Sequence, residues 1–174
     1  MDNSIFAYLQ QLELMVFFSG YPLIYAIVLY IAGTLTEKNN FKIKLVSLLS
    51  FAYALVGTLY LGLQLRNLYP NYSVENIKQA MLQPWLTIWG LLSMLFWIPA
   101  LNKKKTLSLL HSLVFFFFLV RDLLLQLFTA SVNNDVVRND MKIYGNSILL
   151  NLAAFAFILL ISSLFPRYKS HLRP

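Results

Sequence analysis

The chain has 174 residues, of which 59% are hydrophobic, 16% aromatic and only 12% charged, about half the charge share of a soluble domain. The absence of cysteine excludes disulfides, thiol redox chemistry and cysteine-ligated metals. The net charge of +7 comes from lysines set between apolar runs and not from one basic face, which argues against nucleic acid as a partner.

Five apolar stretches fill most of the chain, at roughly 12–35, 44–65, 84–101, 106–129 and 146–165. Each is close to the ~20 residues that a helix needs to cross the hydrocarbon core. Lipid offers no water to backbone amides, and these runs lack the alternation of barrel strands, so the spans are expected to be helical. The expected fold is all-α: a polytopic membrane protein with a bundle of about five transmembrane helices in one domain, 1–174.

In the first stretch Pro22 interrupts the run, and Pro22 to Thr36 is too short to cross alone. The helix is therefore expected to begin near Leu12 and to kink at Tyr21-Pro22, with Glu13 at the outer interface and residues 4–11 as a short interfacial helix. Met1 to Ser4 has no basic region and no small-residue cleavage site, so no removable signal peptide is expected. In the second stretch Ser50, Ala54, Thr58 and Gly62 recur every four residues with Gly57 beside them, a helix-packing face against another helix of the bundle or against a second copy.

After it, Asn71-Tyr72-Ser73 matches a glycosylation acceptor, which matters only in a eukaryotic source. Ser73 is placed to cap a short helix with Val74, Ile77 and Met81 on one face. The third stretch opens on Pro84, suited to a first helical turn, and carries Trp85 and Trp97 near its two ends, where indoles favour the headgroup level.

The fourth stretch holds the most polar chemistry. At 100° per residue, Phe115, Phe118, Asp122, Gln126 and Thr129 lie within about 60° of His111, with Ser108 at the same margin and Arg121 about 80° away. A charge inside a span costs at least about 2.5–3.5 kcal/mol, so Arg121 and Asp122 are expected to reach a neighbouring helix, subunit, water-filled space or headgroup. Adjacent residues on a helix do not face each other, so they are not an obvious mutual pair. His111 stands about 16 Å from Asp122 along the helix, too far to form a catalytic pair with it.

In the fifth stretch Ser147, Asn151, Ala154 and Ser162 share a face, and Asn151 is expected to hydrogen-bond toward the fourth. The loop before it, 131–145, is polar, and Asp135 and Asp140 there make at most a weak cation-binding loop. The only other histidine, His171, is in the C-terminal tail, which excludes a multi-histidine metal site. No metal or other cofactor is expected.

Orientation follows from lysine and arginine by loop. Lys38, Lys42, Lys44, Lys103, Lys104, Lys105, Arg167, Lys169 and Arg173 stand on one side, and Arg66, Lys78, Arg138 and Lys142 on the other. The first set is expected in the cytoplasm, giving an outside N-terminus and a cytoplasmic C-terminus, in a bacterial inner membrane or a eukaryotic membrane. Residues 42–50 read against 103–111, and Leu63-Gln64-Leu65 against Leu125-Gln126-Leu127, as a parallel repeat would. Coincidence between leucine-rich helices explains the same matches and is preferred.

There is no Gly-x-Ser-x-Gly elbow, Gly-rich phosphate loop or His-Glu-x-x-His. The leading expectation is a non-enzymatic membrane protein acting by assembly, as a homo-oligomeric channel-like protein or a small subunit of a larger membrane complex. Its partners would be membrane lipids and further copies or other membrane subunits. The alternative is a small-molecule or ion transporter with a site of Asp122, Gln126 and Asn151, with His111 and Arg121 as further pathway candidates. Third is a lipid-modifying enzyme with His111 as general base near the inner headgroups.

Overall fold

The computed structural model describes residues 3–34, 40–70, 72, 84–128 and 134–164. Its elements are α1 (Asn3–Phe18), α2 (Tyr21–Thr34), α3 (Asn40–Leu68), α4 (Pro84–Leu92), a 3₁₀ turn (Ser93–Trp97), α5 (Pro99–Asn102), α6 (Lys105–Phe128) and α7 (Asn134–Leu164). Every element among the described residues is helical. Gln11–Thr34, Phe41–Leu68, Lys105–Leu125 and Met141–Leu164 are long and apolar enough to cross a membrane, while Pro84–Trp97 is shorter. These four segments are compatible with an integral membrane protein.

The first span is two helices, divided at Ser19 and Gly20, just before Pro22. Proline cannot donate to the carbonyl four residues back, so the regular ladder fails at this point. Side chains take part in the bonding around the break. Ser19 Oγ donates to the Met15 carbonyl at 2.6 Å, and the Gly20 amide donates to Ser147 Oγ of α7 at 2.8 Å. Gly20 is required by space: a Cβ there would stand 2.5 Å from the Ile148 amide nitrogen and 2.6 Å from the Ser147 carbonyl carbon. Residues 4–11, expected as a separate helix, are the beginning of the continuous α1.

The third apolar stretch is not one helix. Ser93 Oγ bonds back to the Gly90 carbonyl at 2.5 Å and the chain tightens into the 3₁₀ turn. Ile98 is extended, at φ −71° and ψ 125°, because the ring of a following proline disfavours the helical conformation. Asn102 then donates its side-chain amide to the Phe96 carbonyl at 3.2 Å, satisfying one group that the break exposes. From Pro84 to Trp97 the helical part measures roughly 24 Å, short of a ~30 Å hydrocarbon core. Trp97 donates to Thr58 Oγ1 at 2.9 Å and packs on Phe51, so it stands beside the middle of α3.

The core lies where the first span, α3 and the α4 segment meet. Leu14, Phe18, Tyr21, Leu49, Tyr53, Val56, Tyr60, Leu86 and Phe115 are almost completely enclosed. Phe18 is central: it stacks on Phe115 at 4.8 Å and meets Tyr60 and Tyr53 edge-on at 5.5 and 5.7 Å, the geometries that aromatic quadrupoles favour.

α7 begins at Asn134, well before the expected start of its apolar run. The polar loop expected at 131–145 is therefore helix from Asn134 onward. Asn134 and Asp135 are residue types favoured at helix starts, and neither proline nor an exposed turn separates them from Met141. At the other end Lys44 Nζ donates to the Ser162 carbonyl at 3.0 Å, a cation on one of the last carbonyls of α7. The units compared above as a repeat differ in build: the first leads into the broken α4 segment, the second into the unbroken α7.

Candidate functional site

Among the described residues, three groups of polar side chains touch the first span. At one end Gln11 Nε2 donates to Asp122 Oδ2 of α6 at 2.9 Å. Asp122 is half-buried, and this bond joins α1 to α6. On the opposite side of α1, about 200° around the helix, Glu13 lies against Gln64 of α3. The half-buried Glu13 thus faces another helix.

The second group is at the break. Besides the Gly20 to Ser147 bond, Asn151 Nδ2 donates to the Phe17 carbonyl at 2.8 Å and to the Ser147 carbonyl at 2.8 Å. The Phe17 carbonyl belongs to the last turn of α1, so Asn151 caps that helix from α7. Asn151 is 2% exposed, and its Oδ1 is enclosed without a hydrogen-bond partner. The Phe17 bond ties it to the first span, whereas hydrogen bonding toward the fourth stretch was expected from the sequence.

The third group surrounds His111. Tyr53 OH and His111 Nδ1 are 2.7 Å apart, Trp89 stacks on the imidazole at 4.8 Å and 5°, and Phe96 and Phe115 close two further sides at 6.0 Å each. One turn before it, Ser108 Oγ is 2.9 Å from Tyr21 OH, and the Tyr21 and Tyr53 rings lie 4.4 Å apart. His111 is therefore packed within the bundle beside the middle of α3. Its Nε2 is enclosed without a partner. Chemically the group offers a histidine and phenol pair able to share a proton, tied by the aromatic stack to one orientation.

The sequence-selected residues thus divide. Asp122 and Asn151 are bonded to Gln11 and to Phe17, about 9 Å apart along α1. The Gln126 side chain lies outside the described residues, as do Ser73, His171 and the Asp135 and Asp140 side chains. Arg121 is exposed. On the small-residue face Ser50, Ala54 and Gly57 are buried, Thr58 is half-buried and Gly62 is exposed. A Cβ on Gly57 would collide with Ser93 of the 3₁₀ turn, whereas one on Gly62 meets nothing within 4 Å. Among the described residues no three His, Asp or Glu side chains come together in a group able to hold a metal.

Tyr53, Trp89, Tyr21 and Gln11 were not singled out by sequence. Each is unremarkable in an apolar or flanking run, and only the helix pairing reveals its partner. Ser108, Ser147 and Asn151 did show as shared faces, but the helix expected for Asn151 was the fourth stretch and not the first span that it bonds. Comparisons with protein-family models, with characterised proteins and with solved structures find no match for this chain.

Proposed function

We propose that this chain is a non-enzymatic integral membrane protein that acts by assembly, as a small subunit docking onto another membrane protein through α6. The observation that carries this reading is an exposed stripe with heptad spacing along that helix. Leu110, Phe117 and Leu124 stand seven residues apart, and Arg121, Phe128 and the half-buried Val114 interleave with them. Phe117 is 65% and Phe128 85% exposed, and Arg121 is exposed in the same stripe.

Leucine and phenylalanine on such a face are at home in lipid, but a guanidinium is not, and it favours an anionic or strongly hydrogen-bonding partner. In a parallel two-fold dimer built on this stripe, Arg121 would face its own copy. Like-charge repulsion there disfavours that homodimer and favours a partner helix carrying an acidic residue at the level of Arg121. Support also comes from the interior, where Asp122 and Asn151 bond within the bundle, and from the enclosure of His111 among aromatic rings.

In this reading the chain crosses the bilayer five times, with the broken Pro84–Asn102 segment as the third crossing. Irregular backbone is tolerated at membrane depth where protein covers it, and Ser93, Phe96 and Asn102 are buried. The lysine asymmetry supports an outside N-terminus and a cytoplasmic C-terminus in this reading.

Native mass spectrometry of the protein extracted from its own membrane in mild detergent tests the proposal. A second protein is expected in stoichiometric amount, lost from Arg121→Leu while the variant remains folded. A closed homo-oligomer would replace the subunit reading with the channel-like one. A monomer unaffected by Arg121→Leu would remove the assembly reading.

A further inference from the structure

Val16 and Phe17 of α1, with Asn146, Leu149, Leu150 and Ala153 of α7, line an open groove of about 450 Å³. The volume falls in the range of small-molecule sites, about 300–1,000 Å³. The groove lies on the side of α7 away from α6: Tyr144, which packs on Phe116 of α6 at 6.0 Å, projects about 170° from the mean direction of the groove residues. Apart from Asn146 its lining is apolar.

The groove has a polar end and an apolar end. Asn146 to Ala153 spans about 10 Å of helix, comparable with one leaflet's share of the ~30 Å hydrocarbon core. Lys142 stands one turn beyond Asn146, about 6 Å further along and rotated by only about 40°, so it shares the groove's face. It is exposed, next to the Met141 start of the candidate span. Glu13, one turn beyond Phe17 on α1, is half-buried and turned to Gln64 of α3. Among the described residues one end of the groove therefore presents a cation and a carboxamide beside an open apolar surface.

We propose that the groove is a phospholipid site, holding one acyl chain against Val16, Phe17, Leu149 and Ala153 with the lipid phosphate on Lys142 and Asn146. The proposal rests on the membrane reading above. A lysine ammonium binds a phosphate as a point charge, and a carboxamide adds a hydrogen-bond donor beside it.

The test uses the full-length chain in mild detergent with added palmitoyl-oleoyl phosphatidylglycerol, counting lipids retained under collisional activation in native mass spectrometry. The wild type is expected to keep one lipid that Ala153→Trp, filling the groove, does not keep. Lys142→Gln is expected to weaken retention about fivefold, and Leu152→Trp, exposed about 110° around α7 from the mean direction of the groove, to leave it unchanged. Retention equal to wild type in both Ala153→Trp and Lys142→Gln overturns the proposal. Palmitate bound as tightly as the phospholipid and insensitive to Lys142→Gln overturns the phosphate contact. Alkaline extraction separates this failure from that of the membrane reading: a chain released into the supernatant sinks both, whereas one retained in the membrane with unchanged lipid counts sinks only the groove.

Discussion

The first span and α3 differ from α6 and α7 in how they use similar apolar sequences. Half of the first span's most apolar window and 56% of that of α3 are buried inside the bundle, against 22% for α6 and 28% for α7. The interior pair supplies the aromatic core and the break at Gly20. The peripheral pair bonds inward through Asp122 to Gln11, Ser108 to Tyr21, Ser147 to Gly20 and Asn151 to Phe17, and leaves largely apolar faces outside. Hydropathy ranks all four alike, so what separates them is which side chains meet across helices.

The sharpest way to break the comparison is at the crossing of the two regions. Gly20→Ala puts a methyl into the backbone of Ser147 and Ile148, which cannot rotate away as a side chain would. A loss of about 1–3 kcal/mol is expected, read as a lower unfolding midpoint in mixed micelles. Gly62→Ala, where a Cβ meets open space, is expected to be neutral or stabilising by up to about 1 kcal/mol through helix propensity. Equal behaviour of the two variants would mean that α7 does not cross the first span at Gly20.

The next effect tests the inward bonds. Asn151→Leu keeps the volume but strips the Phe17 carbonyl of its donor, and a cost of about 0.6–1.7 kcal/mol is expected, the range for interhelical hydrogen bonds in membranes. Tyr53→Phe removes the hydroxyl from His111 Nδ1 while retaining the ring contacts, so a smaller loss of about 0.6 kcal/mol is expected on the same measurement. A change in Asn151→Leu no larger than in Tyr53→Phe would remove the capping role given to Asn151.

Four of the five expected spans are legible as long apolar helices because length and hydropathy alone define them. The third is not, since its hydropathy runs on through Ile98 while the backbone stops at Pro99. A proline inside an apolar run is a local signal, and in the first span it gave a kink close to the observed break. The small-residue pattern on α3 named Gly57, yet its collision partner Ser93 belongs to a turn with no periodicity of its own. His111 and Asn151 were visible as polar residues in apolar runs. Their partners, Tyr53 and a backbone carbonyl, were not, because an aromatic residue and a peptide group carry no mark of being paired.

The smallest folding effect belongs to the outer stripe, and it sharpens the contrast most. Phe117 is 65% exposed, so Phe117→Ala removes a ring that touches little within the chain, and the unfolding midpoint is expected to move by less than about 0.5 kcal/mol. The proposed docking through α6 predicts a different result for assembly, because an aromatic side chain at the centre of a helix seam is where truncation costs most. Phe117→Ala should therefore shed the co-purifying subunit while leaving stability unchanged, the reverse of Tyr53→Phe, which should lower stability and retain the subunit. If Phe117→Ala destabilises the isolated chain as much as Tyr53→Phe does, α6 belongs to the interior as fully as α3. If it changes neither stability nor stoichiometry, the stripe faces only lipid, and Arg121 then serves as an anchor to the headgroups.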